Sequence, residues 1–287
     1  MQDSSLGGLS VKFWGTRGSV PTPGSGTNKY GGNTACVEVR WDGNKRIIFD
    51  AGTGIRSLGE LLAKDGQPDR CDIILSHLHW DHIQGLPFFI PLFIPDAEIH
   101  IWGGEGKGVN LDRMMDHQLH SAFFPVGRSQ LSANILFHLV TQEPFDVNGA
   151  KLTTARINHP GGGFAYRLET GGKSVVYATD READSIENHS GELLEPELLE
   201  LARGADLLIH DAQYSDEEYQ RYRRGWGHTS FSDAIRIARE AGVKRLALFH
   251  HDPSHTDDFL AREEVRLQCE SSDFIVFAAA EGLEILL

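Results

Sequence analysis

Three imidazoles and one carboxylate fall within six consecutive residues, His77-Leu78-His79-Trp80-Asp81-His82. No other stretch of the 287-residue chain limits its folding and chemistry so tightly. Upstream, Cys71-Asp72-Ile73-Ile74-Leu75 has the pattern of a short apolar strand; downstream, Ile83 to Phe89 is apolar around a Gly-Leu-Pro turn signal. The cluster therefore sits where a buried strand runs out into a loop, a usual place for chemistry in α/β proteins. Two histidines two apart, followed by an Asp-His pair, do not share one helix face. They suit a tight loop that turns its side chains toward a common centre. Neutral imidazole and carboxylate are the donors that hold zinc, manganese or iron at neutral pH. The plainer alternative is a polar loop with internally satisfied histidines, and the density of donors argues against it.

The rest of the chain bounds what such a centre can serve. Hydrophobic residues make up 40% and charged residues 24%, enough apolar material for a substantial core. The formal net charge of −14 disfavours an extensive nucleic-acid surface. A small anionic substrate remains compatible, because bound cations invert the local charge. Cys36, Cys71 and Cys269 form no CxxC pair and no disulfide framework. Met1 to Ser10 lacks the basic and apolar regions of a signal peptide, and no stretch has the length of a membrane span. The expectation is a cytoplasmic protein without membrane contact. With no linker or repeat, residues 1–287 are expected to form one domain.

Other histidines and carboxylates stand at the ends of apolar runs. Lys151 to Ile157 leads into Asn158-His159-Pro160-Gly161, and Ser174 to Ala178 leads into Thr179-Asp180-Arg181. Lys244 to Phe249 leads into His250-His251-Asp252-Pro253. His250, the first residue past that run, is the better donor; His251 would point to the opposite side. Asp50 ends the run Lys45 to Phe49, either to steady a donor histidine or to cap a helix over Ile55 to Ala63. Helices are also expected at Leu111–Ala122, Leu193–Ala202, Thr229–Ala241 and Thr256–Glu270. Ser230 and Asp233 suggest a capped start to the third of these, and Gly242 its stop. His228 lies beside that start, where open N–H groups favour an anion. His117 and His120 read as structural or solvated.

The His77–His82 motif resembles the signature of the metallo-β-lactamase superfamily. The Gly227-His228-Thr229-Ser230 element and the Asp at position 180 resemble its ribonuclease Z and cyclic phosphodiesterase branch. The resemblance implies an α/β (α+β) fold, a four-layer αββα sandwich of two mixed sheets with the site at the sheet edge. It implies two divalent ions, zinc foremost with manganese or iron as alternatives. His77, His79 and His159 would hold one ion and Asp81, His82 and His250 the other, with Asp180 bridging. A metal-bridging hydroxide would attack the substrate. Asp81 would orient it and His228 would serve the leaving group, oriented by Asp211. Arg17 (with Lys29), Tyr30, Phe124, Arg181 and His228 are the expected substrate-binding residues.

Two departures from ribonuclease Z shape the substrate expectation. Trp80 replaces a small residue, and no long Gly- and basic-rich arm is present. A small phosphodiester is expected, a cyclic nucleotide or cyclic ribose phosphate. The alternatives are tRNA 3′ processing, hydrolysis of an ester, thioester or lactone, and a non-catalytic metal-binding protein. The Phe123-Phe124-Pro125-Val126 knuckle would line the pocket or join a homodimer.

Overall fold

A computed structural model describes residues 8–66, 70–104, 110–183 and 194–287. Two seven-stranded sheets face each other. The first contains β1 (Ser10–Gly15), β2 (Cys36–Trp41), β3 (Lys45–Phe49), β4 (Arg70–Ile74), β5 (Glu98–Gly103) and β6 (Asn134–Leu139). The second contains β7 (Phe145–Val147), β8 (Ala150–Arg156), β9 (Phe164–Thr170), β10 (Lys173–Ala178), β11 (Leu207–Asp211), β12 (Arg245–Phe249) and β13 (Ile275–Ala278). The last strand, β14 (Glu284–Leu286), returns to the first sheet beside β1.

Both sheets are mixed. Strands β3 to β6 run parallel to their neighbours, as do β10 to β13, while the remaining pairings are antiparallel. The parallel halves decide where the site lies. Loops after parallel strands emerge together at the carboxyl edge, where open α/β sheets gather their ligands.

The layers follow from which faces are apolar. Val11, Phe13, Val37, Phe49, Tyr166, Tyr177 and Phe249 fill the space between the sheets. The outer face of the first sheet packs on α1 (Ile55–Lys64) and α3 (Leu111–Gln118), which flank the short α2 (Trp80–Ile83). The outer face of the second sheet packs on α4 (Glu195–Ala202), α6 (Phe231–Ala241) and α7 (Asp257–Glu270); α5 (Asp216–Glu218) is one short turn. The result is the four-layer αββα sandwich. Local chemistry sets the helix ends: Ser230 Oγ accepts from the Asp233 N–H, and Gly242 closes α6 in the left-handed region at φ 64°.

Some boundaries differ from the sequence expectation. The helix expected to reach Ala122 ends at Gln118. The Phe145–Val147 strand carries no pattern long enough to foresee. Tyr219–Arg223 forms a π-helical turn. Leu193, where one of the expected helices begins, lies outside the described residues. Among the described residues, no helix is long and apolar enough to cross a membrane.

Candidate metal centre

Each candidate donor leaves the end of a strand at the same edge. β4 runs into His77, His79 and α2; β8 into His159; β10 into Asp180; β12 into His250. Asp180 and His250 adopt left-handed backbone, at φ 50° and 63°. So does Asp50 after β3, at φ 57°. Non-glycine residues avoid this region, and such strain concentrates at functional sites.

The structure brings the donors into adjoining groups. His77, His79, His159 and Asp180 place one donor atom each within 4.8 Å of one another, and so do Asp81, His82, Asp180 and His250. Asp180 belongs to both, one oxygen to each. Its Oδ2 lies 3.5 Å from His77 Nε2 and 3.7 Å from His159 Nε2. Its Oδ1 lies 3.1 Å from His82 Nε2 and 3.2 Å from His250 Nε2. Asp81 Oδ2 lies 3.4 Å and 3.1 Å from the same two nitrogens.

These residues fit a pair of divalent ions. A tetrahedral ion with bonds of roughly 2.0–2.2 Å sets its donors about 3.3–3.6 Å apart. His77 Nε2 and His82 Nε2 are buried without a hydrogen-bond partner, a costly arrangement unless something else takes their lone pairs. The opposite ring nitrogens are held from behind. His82 Nδ1 donates to Asp50 Oδ2 at 2.7 Å, His159 Nδ1 to Gly227 O at 2.8 Å and His250 Nδ1 to Gln213 Oε1 at 3.3 Å. Each bond turns the Nε2 lone pair toward the centre. Asp50 therefore steadies a donor histidine and does not cap α1, whose start has no side-chain cap. Asp50 also accepts from Ser76 N, Ser76 Oγ and Tyr177 Oη, each at 2.7 Å. His79, exposed at the mouth, turns Nδ1 inward, 2.9 Å from His159 Nε2.

His228 rides over both groups, its ring 5.2 Å from His159 and 5.0 Å from His250. Its Nδ1 donates to Asp211 Oδ2 at 2.7 Å. Burial opposes a charge on this imidazole, but the Asp211 carboxylate outweighs burial and lifts it to about 9. Asp211 Oδ1 accepts from the N–H groups of Gln213 and Thr229, each at 3.1 Å. His251 turns away and donates Nε2 to Ala279 O at 2.9 Å.

Several expected substrate residues are placed elsewhere. Arg17 is fully buried; its Nε donates to Gly31 O and its Nη1 to Asp252 O and His255 O. It pins the glycine-rich turn to the loop after β12. Tyr30 is buried with its hydroxyl on Glu264, and the Lys29 ammonium donates to that hydroxyl. Arg181 is buried in ion pairs with Asp233 and Glu195. Phe124 is drawn toward the core, edge-on to Phe88, whereas Phe123 is 81% exposed. None of these four presents the free polar or aromatic face expected of it.

Other contributors carried no local signal. Ser19 N donates to Asp81 Oδ2 at 2.7 Å, across 62 residues. Glu182 accepts from Tyr219 Oη, Gly225 N and Gly227 N at 3.0, 2.7 and 2.9 Å, clamping that loop against His159. Gly227, at φ 86°, allows the contact: a Cβ there would lie 2.3 Å from His159 Nδ1.

The two groups differ in proton cost. Burial holds His77, His79 and His159 below the usual histidine range, His159 at about 4. Burial opposes a proton on His82 as well, but Asp180, Asp81 and Asp50 outweigh it and raise that imidazole well above its ordinary value. A cation in the first group meets imidazoles that burial keeps neutral, whereas one in the second competes with a proton that the surrounding carboxylates favour on His82. Raising the pH removes that proton and favours the second ion. We expect the second equivalent to bind more tightly as the pH rises and the first to change less. Calorimetric titration at several pH values checks this, and a pH-independent second equivalent would refute it.

Residues 45–251 match the sequence profile described as the Beta-lactamase superfamily domain. The chain belongs to the beta-lactamase superfamily. Within it, the chain is 27% identical to a protein named Ribonuclease Z from Methanosarcina acetivorans, over 87% of this chain and 90% of that one. That alignment has 284 positions but takes in about 250 residues of this chain (87% of 287), so about 34 positions are insertions in the relative. Among solved structures, the metallo-beta-lactamase fold protein YhfI from Bacillus subtilis superposes with TM-score 0.70 at 22% identity, covering 98% of this chain and all of that one. The short form of human tRNase Z superposes with TM-score 0.67 at 22% identity, covering 96% and 98%.

Proposed function

We propose that this metal-dependent hydrolase of the phosphodiesterase kind cleaves a small phosphodiester at a dinuclear centre. The substrate would be a cyclic nucleotide or a cyclic ribose phosphate. The observation that carries the reading is Asp180, which offers one carboxylate oxygen to each donor group. His77, His79 and His159 would hold one divalent ion, Asp81, His82 and His250 the other, with zinc foremost and manganese or iron as alternatives. Two ions there supply a nucleophilic water and neutralise phosphate charge. The chain's own groups do the remainder. Asp81, held by Ser19 N–H, accepts a proton from the attacking water. His228, charged through Asp211, gives a proton to the departing oxygen.

A small substrate is supported by the net charge of −14. Cytoplasmic residence is in keeping with three free cysteines, two of them buried. Residues 1–287 would act as one domain, and any homodimer would gain by burying exposed rings such as Phe123. Transfer-RNA 3′ processing is the second reading, favoured by relatives named Ribonuclease Z that align with most of the chain.

The test is turnover by the metal-loaded protein on cyclic nucleotides, a cyclic ribose phosphate, precursor tRNA, a lactone and a thioester. Cleavage of a cyclic ester with a rate nearly independent of salt supports the reading. Preference for precursor tRNA with a steep salt dependence replaces it with the second. Preference for the lactone or thioester, or inertness toward all five, overturns both.

A further inference from the structure

The overall negative charge hides a local run of opposite character, Arg221-Tyr222-Arg223-Arg224-Gly225-Trp226. It begins in the Tyr219–Arg223 π-helical turn, an irregularity frequent at functional sites. It is fastened to the metal centre. Glu182, two residues past Asp180, holds Tyr219 and the N–H groups of Gly225 and Gly227. Gly227 then places its carbonyl on His159.

Within the run the three arginines are not equivalent. Arg221 pairs with Glu217 at 2.7 Å, and the Arg224 guanidinium donates to Gln220. Arg223 makes no ion pair or side-chain hydrogen bond among the described residues. Its guanidinium is held only by rings, 4.4 Å from the Trp226 centroid and 5.6 Å from that of Tyr214. Tyr214 lies edge-on to His228 at 6.0 Å, so the guanidinium is no more than about 12 Å from the His228 ring. Trp226 stays 55% exposed although its neighbour Gly227 is buried against His159. An uncommitted cation and an open indole beside a phosphodiester-cleaving centre match two parts of one ligand. A guanidinium takes phosphate oxygens, and an indole face stacks on a base whatever its identity.

We propose that Arg223 and Trp226 form the subsite for the nucleoside side of the substrate, with Arg223 on a phosphate oxygen and Trp226 stacked on the attached base. The inference rests on the phosphodiesterase reading above and narrows it: the substrate carries a nucleobase, which a bare cyclic ribose phosphate lacks.

Binding tests this separately from turnover. Calorimetry on the metal-loaded protein compares AMP with ribose 5-phosphate, for the wild type, Arg223→Ala and Trp226→Ala. We expect the wild type to prefer AMP by about tenfold or more. Trp226→Ala removes most of that preference. Arg223→Ala weakens both ligands by about tenfold while keeping more of the preference than Trp226→Ala does. A merely structural role would not change the ratio between ligands with and without a base. An unchanged ratio in Trp226→Ala, or a wild type that binds neither ligand, overturns the subsite. Inertness toward every phosphodiester would overturn the reaction class, and the ligand ratios would still judge the subsite. Extending the probe to five- and ten-residue oligoribonucleotides identifies the source of the nucleotide. Affinity rising with length points to RNA and a flat response to a mononucleotide, and either result supports the subsite.

Discussion

Asp180→Ala yields a protein that retains neither ion at stoichiometric occupancy after dialysis. Its turnover falls further than the roughly 10–100-fold caused by losing a residue that only steadies a ligand. The reason is the shared carboxylate: removing it takes an oxygen from both donor groups at once. It also leaves His77 Nε2 and His82 Nε2 buried without the carboxylate beside them. Asp180 sits at φ 50°, which alanine tolerates poorly, so the melting temperature is measured alongside. Asp180→Asn separates the two effects. Asparagine accepts the left-handed backbone and keeps one oxygen donor, so that variant should fold normally and hold at most one ion. Elemental analysis decides the matter, and two retained equivalents in the alanine variant would refute the bridging assignment.

His228→Ala gives the complementary result. Metal content stays at the wild-type level, while kcat on the phosphodiester drops by roughly 10²–10⁴-fold, the usual cost of losing a positioned proton donor. Asp211→Asn should come close to the same loss. Its amide can occupy the same space, but an N–H turned toward His228 Nδ1 no longer accepts the proton that Asp211 Oδ2 accepts at 2.7 Å. The imidazole then loses the partner that keeps it charged. Single-turnover rates with metal analysis of each variant make the check. Wild-type rates in Asp211→Asn would remove Asp211 from the mechanism and leave His228 to act alone.

The layout was legible where chemistry and local pattern coincide. His77 to His82 stands out because its donors are consecutive, and His159 and His250 because each follows an apolar run and precedes chain-breaking residues, whereas Asp180 was placed by the superfamily resemblance. The choice of His250 over His251 followed from strand alternation, and the structure places His251 on the opposite side, against Ala279. What remained hidden depends on distant partners. Arg17 in a glycine-rich loop looks like a solvated cation, and only the packing of the 252–255 loop shows that it is buried. Tyr30 and Arg181 misled for the same reason, because Glu264, Asp233 and Glu195 lie far along the chain. Gln213, Ser19 and Glu182 act through contacts that no spacing rule anticipates. Arg223 and Trp226 were masked by averaging charge over the whole chain.

The left-handed turns at Asp50, Asp180 and His250 bear on how such a centre is inherited or copied. Grafting the same seven side chains onto a scaffold of ordinary extended strand ends would aim the carboxylate and the last imidazole in the wrong directions. A designer must transplant the contorted main chain first and the ligands second. A lineage that relaxes those turns loses the means to rebuild the cage by point mutation alone.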